Sequence, residues 1–189
     1  MTSTRIAGKG ALIGDETITF RFDGIPITAR PGDTVDSAIL EHDVRLVGRS
    51  FKYHRPRGIM TAGSEEPNAL IQVGVGDAML PNIRATMQEV YEGLETHSQN
   101  HVGPLGFDLM SINDALWPFI GAGFYYKTFM WPRAFWEKVY EPLIRRAAGL
   151  GRMTPHPSPQ DSERAFAFCD VLVIGGGVAG LMAARTAAS

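Results

Sequence analysis

Seven residues near the C-terminal end carry the clearest chemical signal in the sequence: Ile174, Gly175, Gly176, Gly177, Val178, Ala179 and Gly180. They spell G-x-G-x-x-G between an apolar run, residues 168–174, and an alanine-rich run, residues 181–188. A buried strand, a glycine turn and a helix in that order open a dinucleotide site. Gly175 makes the tight turn in this reading, Gly177 lets the backbone approach a pyrophosphate, and Gly180 lets the helix pack on the strand. A pyrophosphate sits at the helix N-terminus, where free N–H groups and the helix dipole favour negative charge. The motif is therefore read as cofactor-binding. It leaves NAD and FAD both open, because the acidic residue that holds a ribose lies about 20 residues further on, beyond Ser189. One strand and one helix cannot cover both faces of a parallel sheet. The expectation is the N-terminal part of a longer flavin- or nicotinamide-type protein.

Elsewhere the reactive side chains do not converge. His42, His54, His97, His101 and His156 are scattered. His97 and His101 have the spacing of a helical metal pair, but no glutamate lies between them and Asn100 and Gly103 break a helix there. Ser50 and Ser64 lack the surroundings of a nucleophile elbow. No catalytic residue and no metal ligand is assigned. The one cysteine, Cys169, excludes an internal disulfide and a cysteine-ligated iron–sulfur cluster. Beside its apolar run it reads as a small buried core residue. Residues 49–58 gather Arg49, Lys52, His54, Arg55 and Arg57 around Phe51 and Tyr53, with Pro56 and Gly58 marking a loop. Such a loop suits phosphates or an acidic partner, although on its residues alone a solvated surface loop is the preferred reading.

The elements that must position these groups fall into four stretches: 1–101, 102–151, 152–167 and 168–189. In the first, Ile18, Phe20 and Phe22 alternate with Thr19 and Arg21, the period of a half-buried strand. Asp23-Gly24 is a hairpin turn, and Ile25, Ile27 and Ala29 continue the alternation. Pro31, Gly32 and Asp33 turn the chain into a helix capped by Asp33 or Thr34, with Val35, Ala38, Ile39 and His42 on one face. Strand, hairpin, strand, helix opens a β-grasp domain. Turns are expected at residues 65–68, at Pro81-Asn82 and at Glu92-Gly93, and strands at 69–73 and 94–97; residues 83–91 fit strand or helix. In the second stretch, residues 111–114 cap a short helix through Phe119, and 134–148 form an amphipathic helix. Its apolar stripe holds Phe135, Trp136, Val139, Tyr140, Leu143, Ile144 and Ala147, with Arg145 and Arg146 in the last turn. So many aromatics call for a covering surface, either the unit that follows, another subunit, or the β-grasp unit itself. Pro155, Pro157 and Pro159 mark a linker.

Apolar content of 44% and charged content of 20% place the chain among ordinary globular proteins. A net charge of −2 argues against nucleic acid. No apolar run reaches the roughly 18 residues of a membrane span, and the first residues lack the apolar core of a signal peptide. A cytoplasmic protein is expected.

Taken together, residues 51–60, 66–70, 123–129 and 170–180 resemble the N-terminus of the alpha subunit of heterotetrameric sarcosine oxidases. The Arg55-Pro56-Arg57-Gly58 and aromatic segments are more specific to that family than the glycine motif. The resemblance implies an α+β chain: a ferredoxin-like β-grasp domain, a helical aromatic-rich connector, and the first βα unit of a Rossmann-type domain. It implies that the basic loop belongs to the family signature and that the cluster of related dehydrogenases is lost, since no cysteine lies between Val44 and Gly63. It implies NAD at the glycine motif, FAD and covalent FMN elsewhere in the complex, and beta, gamma and delta subunits as partners. The implied activity converts sarcosine to glycine with hydrogen peroxide, passing the one-carbon unit to tetrahydrofolate, with catalytic residues outside this chain. Two alternatives stay open: a cluster-less β-grasp interaction module, and a subunit of a related flavin-dependent opine- or cyanide-type dehydrogenase.

Overall fold

The structure, a computed structural model, describes residues 3–6, 9, 16–121, 123, 129, 131–148, 151 and 164–189. The proline linker at 152–163 and most of the aromatic segment at 122–130 lie outside the described residues. The chain divides into two compact units, Met1–Ser158 and Pro159–Ser189.

The first unit is an α+β fold built on a mixed sheet of five strands. β1 (Ile18–Phe22) and β2 (Ile25–Ala29) form the expected hairpin. Asp23 and Gly24 both take positive φ, 50° and 78°, the backbone that a two-residue hairpin loop requires. α1 (Val35–Glu41) follows, with Thr34 at its N-cap in a reciprocal capping box with Ser37. β5 (Leu70–Val73), β6 (Leu80–Arg84) and β7 (Glu95–Ser98) complete the sheet in the order β2-β1-β7-β5-β6. β7 runs parallel to β1, and the other pairings are antiparallel. A separate two-strand pair, β3 (Gly48–Arg49) and β4 (Pro56–Arg57), brackets the basic loop.

The core lies between α1 and the sheet. Phe20 and Phe22 of β1, Ile27 of β2, Val35, Ala38 and Ile39 of α1, Ile71 of β5 and Leu94 make one buried cluster. The inward residues of β7 are polar instead: Thr96 and Ser98 are buried. Thr96 Oγ1 donates to the Arg21 carbonyl at 2.8 Å, and Ser98 donates through N and Oγ to the Asp23 carboxylate at 2.8 and 2.5 Å. These bonds lock the central strand to the hairpin turn.

Several expectations need correction. Pro81 and Asn82 lie inside β6, not in a turn. Asn82 takes φ 61°, so the strand is kinked where a turn is expected. Residues 85–91 are neither strand nor helix; they are turns ending in a bridge from Glu89 to Thr34. The cap expected at residue 111 falls one turn earlier. Asp108 accepts from Met110 N at 3.0 Å, a short 3-10 turn follows, and α2 covers only Ile112–Ala115. The helix expected over 134–148 starts as a π-type turn, Trp136–Tyr140, and becomes α3 over Glu141–Ala148. Pro142 explains the widening, because it has no N–H for the helical ladder and its ring crowds the preceding turn. The apolar stripe does not close on the β-grasp core: Phe135, Trp136, Val139 and Leu143 are exposed.

Polar ties fasten the loops to this frame. Arg5 holds the Asp33 carboxylate at 2.8 Å and Glu41 at 2.9 Å. The bond to Asp33 raises the Arg5 pKa. Burial would push the Asp33 carboxyl up, but Arg5, the Arg30 N–H and Ser37 hold it below its ordinary value. Glu66 is the deeper anchor, 1% exposed. One carboxylate oxygen accepts from Met60 N at 2.8 Å, Thr61 N at 2.7 Å and Thr61 Oγ1 at 3.3 Å; the other accepts from Asn68 N at 2.8 Å and Ala69 N at 3.2 Å. Burial alone would raise the Glu66 pKa, and the four backbone N–H groups overcome it, so the carboxyl sits below its ordinary value.

At neutral pH, Glu66→Gln is expected to destabilise the fold by about 2 kcal/mol, since an amide NH2 then faces N–H groups that need an acceptor. A folded pKa below the ordinary 4.5 means that the ionised Glu66 contributes fully above that value and loses its contribution as pH falls below it. Urea unfolding of both proteins from about pH 7 down to about pH 3 should show the stability gap narrowing in the acid range. A gap that stays constant would contradict the charge-based account.

Candidate functional site

The helix expected after the glycine motif is present: α4 spans Val178–Ala187. Its N-cap is Gly177, at φ −72° and ψ 174°, and Leu181 N donates to the Gly177 carbonyl at 2.9 Å. The first N–H groups of any helix have no acceptor within it, so those of this turn point outward beyond Gly177. Gly175 takes φ 110°, a conformation open to glycine and costly for other residues. A Cβ on Gly180 would stand 2.0 Å from the Gly175 carbonyl oxygen, whereas one on Gly176 or Gly177 would meet nothing within 4 Å. The four glycines thus differ in kind: Gly175 bends the chain, Gly180 admits the helix against the bend, and Gly176 and Gly177 border open space.

The run before the motif departs from expectation. Residues 168–174 form no strand, and Phe168, Val171, Leu172 and Ile174 are exposed. Cys169, expected in a core, is exposed as well. The cause is physical: a strand exists through hydrogen bonds to a neighbour, and no described strand pairs with this run. Ile174, Val178 and Ala179 are likewise exposed.

The second candidate region is the basic loop. Arg49 donates from Nε and Nη2 to the Leu105 carbonyl at 3.0 and 2.6 Å, and from Nη1 to the His54 carbonyl at 3.2 Å. His54, at φ 53°, places Nδ1 2.5 Å from Asp108 Oδ2 with both side chains buried. Burial would raise the Asp108 pKa; the N–H groups of Val102 and Met110, with His54, hold it low. Lys52 donates to the Gly121 carbonyl at 3.0 Å and lies 4.9 Å from the Tyr53 ring centre, and Arg55 covers the same ring at 4.9 Å while pairing with Asp114 at 2.6 Å. The loop is therefore a built structure with little of the freedom of a solvated loop.

Sequence reasoning did not find Glu66, Asp108 or the role of His54. Glu66 reads as one residue of a turn, and its signal is faint: an acid just before Pro67 and Asn68 can accept N–H groups on both sides of the bend. The pairing of His54 with Asp108 joins residues 54 apart in sequence and leaves no local trace. His97 lies on β7, not on a helix, with Nδ1 3.8 Å from Asp23. His101 bonds Ser98 Oγ at 2.9 Å and the Gly103 carbonyl at 2.6 Å. Among the described residues, no three His, Cys, Asp or Glu side chains are grouped to hold a metal ion, and no helix is long and apolar enough to cross a membrane.

Residues 15–101 match the family described as a 2Fe-2S iron-sulfur cluster binding domain. Such a cluster is held by cysteine thiolates, and residues 15–101 contain no cysteine. The donor set in the matched domain does not fit the cluster. The crystal structure of L-proline dehydrogenase from P. horikoshii aligns with 43% of this chain and 15% of its own at 21% identity, with a TM-score of 0.36, too loose to carry an argument. Along almost the whole chain the sequence is similar to sarcosine oxidase subunit alpha of Rhizobium meliloti (strain 1021), 56% identical over 99% of this chain and 19% of the relative. The corresponding subunits of Corynebacterium sp. strains U-96 and P-1 are 34% and 31% identical over 92% and 91% of this chain, and 13% of each relative. The chain thus spans about a fifth or less of the length of the curated relatives it matches, and it belongs to the family of sarcosine oxidase alpha subunits.

Proposed function

We propose that this chain is the N-terminal part of the alpha subunit of a sarcosine oxidase complex, supplying a docking module and the start of an NAD site. The observation that carries this reading is the identity of 56% with a sarcosine oxidase alpha subunit over 99% of the chain. The complete enzyme would oxidise sarcosine to glycine, reduce oxygen to hydrogen peroxide and hand the one-carbon unit to tetrahydrofolate. FAD and FMN would be bound elsewhere in an assembly with beta, gamma and delta subunits. No residue of this chain is given a catalytic role, and the chain alone is expected to be inactive.

In this reading the first unit is a ferredoxin-like β-grasp domain that has kept its fold without a cluster, and Ile174 to Gly180 form the first turn of a Rossmann-type site. The open space over Gly176 and Gly177 supports that assignment, as does the helix N-terminus that starts there. NAD is preferred to FAD on the family resemblance. Stretches 1–101, 102–151, 152–167 and 168–189 keep their proposed roles as β-grasp domain, connector, linker and nucleotide-domain start. A cytoplasmic location is proposed with them.

The docking role has its own observation. Phe119 and Trp131 are 80% and 83% exposed, and Trp117, Phe135 and Trp136 are exposed as well. Exposed aromatics in this number call for a covering surface. The double variant Phe119→Ser and Trp131→Ser, in the full-length subunit, is expected to lose co-purification with the other subunits while the thermal midpoint of the isolated subunit stays unchanged. Full assembly of the variant would remove the docking role.

Gly177→Asp tests the cofactor site cleanly. Aspartate is a preferred N-cap residue, and its Cβ meets nothing within 4 Å, so α4 should form as well or better. The new carboxylate would occupy the ground of a pyrophosphate, and NAD affinity in the assembled complex is expected to fall by about a hundredfold or more. Unchanged NAD binding with an intact helix would sink the assignment.

A further inference from the structure

A cavity of about 280 Å³ opens beside the β3–β4 hairpin. Four cations line it, Arg49, Lys52, Arg55 and Arg57, and no Asp or Glu does. Arg55 is paired with Asp114. Arg49 is fixed by neutral carbonyls only, and has no carboxylate partner among the described residues. Its charge is held in place and left unneutralised, which is the condition for an anion site prepared before its ligand arrives. Lys52 uses one donor on the Gly121 carbonyl and keeps two more. Arg57 is exposed and its guanidinium has no partner among the described residues, so its donor fork is free to close on a ligand.

A second, independent observation concerns a residue that lines the same cavity. Asn100 lines it and is only 8% exposed. Its Nδ2 donates to the Arg49 carbonyl at 2.7 Å, which fixes the orientation of the amide. Its Oδ1 is buried with no hydrogen-bond partner. A buried acceptor left unsatisfied costs on the order of 1–3 kcal/mol, and it asks for an N–H or O–H donor. None of the four lining cations donates to it, and Arg49 already gives three donors to Leu105 and His54.

We infer that this cavity binds a small oxyanion-bearing molecule, a phosphate or carboxylate with a hydroxyl close by. The oxyanion meets Arg57 and Lys52 in the field of Arg49, and the hydroxyl donates toward Asn100 Oδ1. The volume lies just below the usual range of small-molecule sites, roughly 300–1,000 Å³, which suits a compact ligand. All of its lining residues belong to the first unit, and none belongs to the glycine motif.

The test is calorimetric titration of the purified protein with glycerol 3-phosphate, with glycerate and with inorganic phosphate, alongside the Asn100 side-chain amide signal in NMR. Glycerol 3-phosphate or glycerate should bind with Kd below about 1 mM and shift the Asn100 amide; whichever binds tighter identifies the oxyanion. Inorganic phosphate, lacking the organic hydroxyl, should bind more weakly. Arg57→Ala should weaken binding by about tenfold, and Arg45→Ala, the same charge change at a residue that does not line the cavity, should not. Binding should persist in Gly177→Asp, which separates this cavity from the glycine turn. Absence of binding by both organic probes would overturn the inference. So would equal weakening by Arg45→Ala, or loss of binding in Gly177→Asp.

Discussion

A buried carboxylate with no cation partner among the described residues holds the loop face of the first unit together. Glu66 gathers N–H groups from residues 60 and 61 on one side and 68 and 69 on the other, so it cinches both ends of the loop at one point. Its own carbonyl takes a bond from Arg84 of β6 at 3.1 Å, and Thr86 reaches the Gly63 carbonyl at 2.7 Å. Ala69 leads directly into β5, so the start of that strand is set by the same carboxylate. Asp108 repeats the device at the basic loop, accepting from Val102, Met110 and His54. An iron–sulfur cluster organises a loop by drawing thiolates to a metal centre. In this chain, which has no cysteine in the matched domain, oxygen acceptors draw backbone N–H groups to a centre instead.

The parts of the fold that depend on short-range pattern were legible in the sequence. The β1–β2 hairpin, its Asp23-Gly24 turn, a cap at Asp33 or Thr34 and the apolar face of α1 follow from period and turn chemistry within about a dozen residues. Pro81 and Asn82 misled because a proline and a left-handed asparagine usually mark a turn, yet an edge strand tolerates both. β7 was only partly legible, since its inward residues are Thr96 and Ser98 and their partners Arg21 and Asp23 are 75 residues away. The anchors of the basic loop were invisible for the same reason: what burial does to Glu66 or Asp108 depends on donors brought in by tertiary structure.

The glycine-turn unit separates local from non-local structure in another way. α4 forms because every helical bond is made within a few residues. Residues 168–174 have the apolar character of a buried strand and none of its hydrogen bonds, for a strand borrows its bonds from neighbours. The glycines keep their positional meaning without that sheet: Gly180 still lies against the Gly175 carbonyl. The candidate site is thus legible as a turn, and its cofactor preference depends on residues that no local pattern supplies.

The two edges of the five-stranded sheet are β2 and β6, and each carries a proline, Pro26 and Pro81. Proline removes a ladder donor, and the left-handed Asn82 kinks the second edge further. Edges of this kind reject an incoming strand. A partner of this domain would therefore meet side-chain surfaces, such as the exposed aromatics, and not extend the sheet. The same blunting guards the domain against edge-to-edge aggregation during synthesis.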